Sequence, residues 1–553
     1  MNQDLSKLKQ CEEVNWGWYK ETGFPPSLLR RSGYAKAQRG NDKGRGSIMF
    51  LPFAFCLLPF AMYSWYYIRT RQRRFERSLK GVSMCGVVGI VRKDGNVAPD
   101  LYVGVIKLQH RAHDMAGIAT SDGEMTYLQR GMGEVAVAFS KSKLRRMKGR
   151  AGIGHVRWTT VGDVNIQNAH PIAGLFRTRQ YPKGKKFYIG HNGQIAQDEL
   201  SVMFPRYKPD VTTDTKFIAA LVSSSGKETF EDALQYACSI LKGTYSLVIL
   251  YDDAVYGVRD TTGNRPLVLG ANGGALMVAS EAVAFNPLGG HYVDEVHPGE
   301  MVKISRESSL SFQRMPIKSV PDEMPRQLTF CLFEMIYLLH PASIFLGRTV
   351  QMVRERMGVQ LLNEHKLDAD VVIGVPDSGL AAARGYARAS GILKESGIIR
   401  SHYSGRVFIN AVAERDEKHR IKHDVIRQVI EGKRVVVCDD SIVEGRTSIK
   451  IVKLLRENGA REVYLLSSSP PPMMPCYYGV PTALSQRRLI AADHKGNVEA
   501  IRKEIGADYL GYLSIQGTIR AVVDTSPCIA EYPEISEKDF CTACFSGNYT
   551  IPH

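Results

Sequence analysis

The chain has 553 residues, 44% of them apolar and 23% charged, which gives room for two or three domains and excludes a disordered, fibrous or multi-span membrane protein. Its formal net charge is +16, yet residues 1–84 carry 15 Lys/Arg against 6 Asp/Glu, while the other 469 residues carry 57 against 50. More than half of the excess therefore sits in under a sixth of the chain, so the charge does not require a nucleic-acid or membrane partner, and ten cysteines are too sparse for a disulfide scaffold.

Residues 1–84 differ in character from the rest of the chain. Ile48 to Ile68 is a run of 21 residues without a charge, long enough to span a bilayer as a helix. Pro52 and Pro59 interrupt it. Basic residues flank both ends, Lys43 and Arg45 before it and RTRQRRFER after it, so charge bias assigns no orientation. No small-residue cleavage site precedes Arg69. The expectation is that translation starts or processing cuts at Met84, so that residues 1–84 are absent from the mature chain and Cys85 becomes its first residue. A membrane anchor and a soluble tail are the alternatives, and a membrane partner is expected only if the apolar run is retained.

From Cys85 to about residue 318, short apolar runs alternate with Gly and Asp/Asn turns: VVGIV, AGIAT, AGIGHVRW, FYIGHNG, YSLVILY, YGVRD, LVLG and ALMVAS. Such runs predict strands, and helical patterns lie at 101–110, 197–204, 214–224 and 230–242. The expectation is an α+β domain of stacked sheets over 85–318. Cys85 is the candidate nucleophile. At a chain terminus it carries its own base, an α-amino group titrating near 7.7–8.0; otherwise a free cysteine is usually a small core residue. Asn192 and the Gly193 N–H, in HNG, suit an oxyanion hole. Arg157 suits a carboxylate and Asp214 an ammonium. Together these groups are what hydrolysis of a free amino acid's side-chain amide needs, although HNG also reads as a turn, Arg157 as an ion pair and Asp214 as a helix cap.

From about 319 to 553 the pattern changes. DVVIGV (370–375), KRVVVCDD (433–440) and REVYLLSSS (461–469) alternate with helical segments, predicting an α/β domain with a parallel sheet. Ligands on such sheets bind at the carboxyl ends of strands. VVVCDDSIVEGRTS carries the site. Asp439 and Asp440 close a strand, and Ser441, Gly445, Arg446, Thr447 and Ser448 lead into a helix whose N–H groups and hydroxyls suit a phosphate. The two acids suit ribose hydroxyls or magnesium. An ordinary capped strand–turn–helix is the alternative. CTACF near the end supplies Cys541 and Cys544; with Cys331 and Cys476, four thiolates suit zinc or a 4Fe-4S cluster equally by count. Cys238, Cys438 and Cys528 are expected to be core residues.

MCGVVGIV, LQHRAHDMAGIA, GIGHVRWTTVG, NAHP, HNG, TTDT, VRDTTGNRPLVLG, VASE and HPGEMV resemble, in order, the N-terminal-nucleophile glutaminase domain of the glutamine phosphoribosylpyrophosphate amidotransferase family. DDSIVEGRTS and VPDSG are similar to the loops of type I phosphoribosyltransferases. The resemblance implies that Cys85 attacks glutamine, Asn192 and Gly193 hold the oxyanion, and Arg157 and Asp214 grip the glutamine ends. It implies a phosphoribosylpyrophosphate site at Asp439, Asp440, Ser441, Gly445, Arg446, Thr447 and Ser448 with Arg420 and Lys422, and Mg2+ at Ser378, Asp439 and Asp440. GIIRSHYSGRVFI resembles the family's flexible loop. Between zinc and a cluster, the resemblance selects a 4Fe-4S cluster on Cys331, Cys476, Cys541 and Cys544, in a cytoplasmic setting.

The implied reaction converts phosphoribosylpyrophosphate, glutamine and water to 5-phosphoribosylamine, glutamate and pyrophosphate, the first step of purine synthesis, with purine nucleotides as possible inhibitors, a homo-oligomeric assembly and no nucleic acid. His113 and Met115 in RAHDMAG, Glu444, Arg446 and His402 depart from the family's usual residues. Glu444, Arg446 and His402 support a rival: a regulatory paralogue that hydrolyses glutamine and binds a nucleotide without transfer. A sugar-phosphate glutamine transferase is a further rival, opposed by DDSIVEGRTS and the four cysteines.

Overall fold

The computed structural model describes residues 84–158, 165–196, 213–306, 310–318, 328–401, 423–480, 488–529 and 534–551. The apolar run at 48–68, the helix expected at 197–204, His402, Arg420 and Lys422 lie outside them. Among the described residues, no helix is long and apolar enough to cross a membrane.

Two antiparallel sheets form the first half. One holds β1 (Gly86–Arg92), β2 (Met115–Ser121), β3 (Thr126–Met132), β4 (Ala151–Arg157), β9 (Val268–Asn272), β10 (Ala275–Ala279) and β11 (His291–Glu295), in the order β11-β9-β10-β1-β4-β2-β3. The other holds β5 (Ile172–Phe176), β6 (Lys185–Ile195), β7 (Gly243–Tyr251), β8 (Ala254–Arg259), β12 (Glu300–Ser305) and β13 (Ser311–Pro316), in the order β13-β12-β8-β7-β6-β5. Successive side chains of each strand point to opposite faces, and both faces are covered. Val87, Val91 and Ile153 meet Tyr188, Val248, Leu250 and Val255 in the layer between the sheets. Val88 and Ile90 point the other way, onto α1 (Ala98–Lys107). On the far face of the second sheet, α2 (Asp214–Ser223) and α3 (Phe230–Ile240) pack on Phe187, Ile189 and Leu247. Gly89 marks how close the sheets come: a Cβ there would lie 2.6 Å from Val255 and 2.7 Å from Val248.

The second half begins with β14 (Phe330–Cys331), a short strand in a parallel pairing, and a hairpin of β15 (Ile344–Phe345) and β16 (Arg348–Thr349). Its centre is a parallel sheet of β17 (Val371–Gly374), β20 (Arg434–Asp439), β21 (Glu462–Ser467) and β22 (Tyr509–Tyr512), in the order β17-β20-β21-β22. In β20, Val435 and Val437 face Ile451, Leu455 and Ile501 of α6 (Arg446–Glu457) and α7 (Val498–Ile505). Val436 and Cys438 face Val353, Met357, Tyr386 and Val522, which belong to α4 (Val350–Glu364), α5 (Leu380–Ser390) and α8 (Ile515–Val523). A sheet buried on both faces explains the unbroken apolar runs of the sequence. β18 (Ile398–Arg400) pairs with β19 (His423–Val425), and β23 (Phe540–Cys541) pairs in parallel with β14.

Candidate active sites

The first site gathers at the ends of β1, β4 and β6. Gly86 pairs with Val156, which places Cys85, one residue earlier, beside the end of β4. Its thiol lies 3.6 Å from the Trp158 carbonyl. Burial pushes the thiol up to about 11; a backbone hydrogen bond with Trp158, then Arg157, pull it down, Asp214 pushes it up and Arg111 pulls it down. Those influences show that Arg157 and Asp214 share the surroundings of Cys85. Arg157 is 3% exposed and its guanidinium donates to the Asn168 carbonyl. Burial lowers its proton affinity, while Cys85, Asp214 and Asp114 raise it. Asp214 opens α2 behind its N-cap Thr213, accepts from the Thr215 N–H at 2.8 Å and lies 3.5 Å from His191 Nδ1.

HNG does not follow a strand as a turn; it lies within β6, with Asn192 opposite Ser246 and Gly193 opposite Tyr245. The reason is Gly193, whose φ of +150° a side chain adopts only with strain. A Cβ there would sit 2.1 Å from the Thr244 carbonyl oxygen. Asn192 is fully buried, and both polar atoms of its amide lack a hydrogen-bond partner. Such a group is costly unless something fills it, so it points to a ligand.

Three buried imidazoles were not anticipated from the sequence. His155 Nε2 lies 2.9 Å from the His191 carbonyl and 3.0 Å from His170 Nδ1. They tie β4 to β6 beneath Asn192. Burial lowers the proton affinity of all three, to about 3 for His155. The departures at 113 and 115 have separate fates. His113 lies 3.6 Å from Glu134, and Met115 is a core residue opening β2.

The second site stands at the carboxyl end of β20. Asp439 and Asp440 are 5% and 6% exposed. Ser378, in the loop after β17, donates to Asp440 Oδ1, and Ser441 donates to Oδ2 at 2.7 Å. Gly445 caps α6 with φ of +79°; a Cβ would lie 2.5 Å from Ile490. A glycine cap brings no side-chain acceptor to the first-turn N–H groups, which leaves them to an anion. Arg446 and Thr447 are exposed and Ser448 is buried. Glu444 and Arg446 form an ion pair of 3.3 Å, so the carboxylate is answered within the loop. Tyr337 and Arg354, which the sequence did not single out, belong to the acids' surroundings. Burial and then Asp440 and Asp439 push the Tyr337 phenol up to about 12. Arg354 is held by the Met335 and Leu339 carbonyls, and burial lowers it to about 10 while Asp440 opposes the shift.

Cys331, Cys476, Cys541 and Cys544 line one cavity with Asn264 and Arg265. The β14–β23 pairing sets Cys331 beside Cys541, and the Met473 and Met474 N–H groups donate to the Cys544 carbonyl at 2.9 and 3.0 Å. Burial raises the Cys331 thiol to about 12, and Cys541 and Cys476 add to the rise while Arg265 opposes it. Among the described residues, no group of three or more His, Cys, Asp or Glu side chains is arranged to hold a metal ion. Cys238 and Cys438 are core residues as expected, but Cys528 is exposed.

Residues 179–287 match the family model for a glutamine amidotransferase domain, and residues 350–468 match that for a phosphoribosyl transferase domain. The chain is similar to the amidophosphoribosyltransferase of Methanothermobacter thermautotrophicus, 38% identical over 478 residues that cover 85% of this chain and 94% of that one. The Bacillus subtilis amidophosphoribosyltransferase is 38% identical over 480 residues, covering 85% and 95%. Chloroplastic amidophosphoribosyltransferase 2 of Arabidopsis thaliana is 38% identical over 479 residues, covering 84% and 79%. The solved structure of the B. subtilis glutamine phosphoribosylpyrophosphate amidotransferase complexed with ADP and GMP superposes with a TM-score of 0.75 at 36% identity, covering 85% of this chain and 98% of that one.

Proposed function

The chain belongs to the amidophosphoribosyltransferase family, and on that premise we propose how its residues divide the work. It converts phosphoribosylpyrophosphate, glutamine and water to 5-phosphoribosylamine, glutamate and pyrophosphate, the entry to purine synthesis. Residues 85–318 hydrolyse glutamine and residues 319–553 use the ammonia. The observation that carries the residue assignment is the Asn192 amide, buried and without an internal partner, on the strand that His155 joins to β4.

Cys85 attacks the side-chain amide carbon of glutamine. Its thiol is held protonated at neutral pH by burial, so attack needs a base. Release of Cys85 from Met84 supplies that base as the free α-amino group. The Asn192 amide and Gly193 N–H receive the oxyanion. Arg157 pairs with the α-carboxylate and Asp214 with the α-ammonium. Ammonia leaves and the thioester is hydrolysed to glutamate. The ammonia passes internally, along the packed seam where Gly479 abuts Gly193 and Thr244 donates to the Tyr478 carbonyl at 2.9 Å.

In the second half the Gly445 cap with Ser441, Arg446, Thr447 and Ser448 holds the 5-phosphate. Asp439 and Asp440 hold the ribose, and Arg420 and Lys422 meet pyrophosphate. Asp439, Asp440 and Ser378 fit Mg2+, which takes one or two carboxylates plus substrate phosphates and needs no third protein ligand. When bound it would neutralise the pyrophosphate leaving group. The four cysteines fit a 4Fe-4S cluster: their thiols converge on one cavity that Arg265 also lines, so the guanidinium would serve as countercharge to thiolates on iron. Its part is structural cross-linking of distant segments. Feedback by purine nucleotides and a homo-oligomeric state complete the proposal; GMP or ADP inhibition and solution mass check them.

The central test is Cys85→Ala. It should abolish glutamine use and keep ammonia-dependent pyrophosphate release; equal loss of both would contradict the division of roles. N-terminal sequencing of active protein checks release at Met84, and an intact Met1 would sink it. Iron and sulfide content after anaerobic purification checks the cluster; zinc, or no metal, would replace it.

A further inference from the structure

A buried charge set joins the two halves and serves neither reaction directly. The side chains of Arg111, Arg265, Glu281 and Glu334 have no exposed surface. Glu334 accepts from Arg111 Nη2 at 2.8 Å and Nη1 at 3.2 Å, and from Arg265 at 3.4 Å. Arg111 Nη1 also donates to Glu281 at 2.6 Å. That leaves Arg111 Nε, which donates to the backbone carbonyl of Cys85 at 2.8 Å. Arg265 spends its other donors on the Tyr478 carbonyl, at 2.9 and 2.6 Å. The residue that carries the nucleophile is thus clamped by an arginine whose counter-charges come from both halves of the chain, Glu281 from the first and Glu334 from the second.

Apolar residues of the same volume would hold such a seam at least as firmly, because burying charges costs desolvation. What the charge set adds is orientation: a guanidinium bonded on three sides has one direction left to point. Glu334 is itself fixed, at the start of a π-helical turn over Glu334–Leu338; Arg354 bonds the Met335 carbonyl within that turn and the Leu339 carbonyl that caps it. Turns of this kind are rare and concentrate at functional sites.

We infer that Glu334 is a positioning residue for glutamine hydrolysis, which holds Cys85 in its attacking place through Arg111. The inference rests on the proposed role of Cys85. A nucleophile displaced by a fraction of an ångström loses rate more than substrate affinity, since Glu334 itself touches no substrate.

The test uses the purified full chain. Glu334→Gln keeps the shape and removes the charge. It should lower kcat for glutamine hydrolysis about 10–100-fold, with KM for glutamine and ammonia-dependent pyrophosphate release each within about 3-fold. Arg111→Met/Glu334→Gln removes one charge of each sign, so the buried set stays neutral and the fold is safe even where the single variant does not accumulate. It should lose glutaminase and keep ammonia use, and its loss should not exceed that of Arg111→Met by more than about 3-fold, because residues acting in series do not add. A loss of ammonia use in parallel, a rise in KM instead of a fall in kcat, or multiplying penalties would overturn the inference. So would wild-type glutaminase in the double variant. A wild-type chain without glutaminase would instead overturn the proposed function itself.

Discussion

Gly193→Ala is the sharpest probe of the candidate oxyanion hole. The backbone there has φ +150°, where a side chain costs about 1–3 kcal/mol. The new methyl would sit 2.1 Å from the Thr244 carbonyl oxygen, 2.8 Å from its carbon and 2.9 Å from the Tyr245 Cα. All three are backbone atoms of β7, so no rotamer relieves the clash. β6 and β7 must part by about an ångström, which as overpacking costs a further 1–3 kcal/mol or so. The summed destabilisation is about 2–6 kcal/mol, and the strand that carries the Gly193 N–H and Asn192 moves off its aim. Loss of one oxyanion donor is worth about 10²–10³ in kcat. Glutamine hydrolysis should fall by that factor at a temperature below the lowered Tm, while ammonia-dependent pyrophosphate release stays within about 2-fold. A variant with unchanged Tm and glutaminase within about 3-fold of wild type would refute the reasoning.

Acid should weaken the first half through its buried imidazoles. Burial holds His155 neutral down to about pH 3, whereas an unfolded imidazole protonates near 6.5. Its contribution is whole above about pH 6.5 and is lost as pH falls toward 3, to a limit of about 5 kcal/mol; urea unfolding at stepped pH should show the slope, and an equal slope in His155→Gln would discount it. Glu444→Gln frees Arg446 from its 3.3 Å partner. Because Arg446 is exposed, the pair is worth at most about 1 kcal/mol, so KM for phosphoribosylpyrophosphate should fall by no more than about 5-fold, and a rise would mean that the carboxylate itself helps binding. Asp440→Asn removes the charge that Ser378 and Ser441 both address. Ammonia-dependent release should fall at least about 100-fold and glutamine hydrolysis measured alone should not, whereas a parallel fall would place Asp440 in the shared scaffold.

Much of the architecture is written in short-range pattern. VVGIV, AGIAT, YSLVILY and VVVCDD become strands because each is buried on both faces, and their apolar runs say so. β3, TYLQRGM, escapes notice because it lies half-exposed at the sheet edge and its residues show no apolar run. The three residues HNG are displaced by one structural step: Gly193 reads as a turn signal, yet its φ serves a close approach to β7 inside a strand. The site acids and the nucleophile are legible because each closes or opens a strand beside small or glycine residues. Arg111, Glu281 and Glu334 are not, since their partners are 170 and 223 residues apart in sequence and a lone charge in an apolar stretch carries no sign of its mate. Cys528 misleads for the opposite reason. Cysteine is usually buried, and nothing local marks this one as exposed.

The pairing of β14 with β23 also has a consequence in time. Cys331 and Cys541 are neighbours in space but are made far apart: at ribosomal speeds of about 5–20 residues per second, roughly 10–40 s separate them. Until the last strand emerges, β14 has no partner and the thiol-lined cavity has no closing wall. A chain cut short just before Cys541 would therefore lack both the partner of β14 and two of the four thiols that line the cavity.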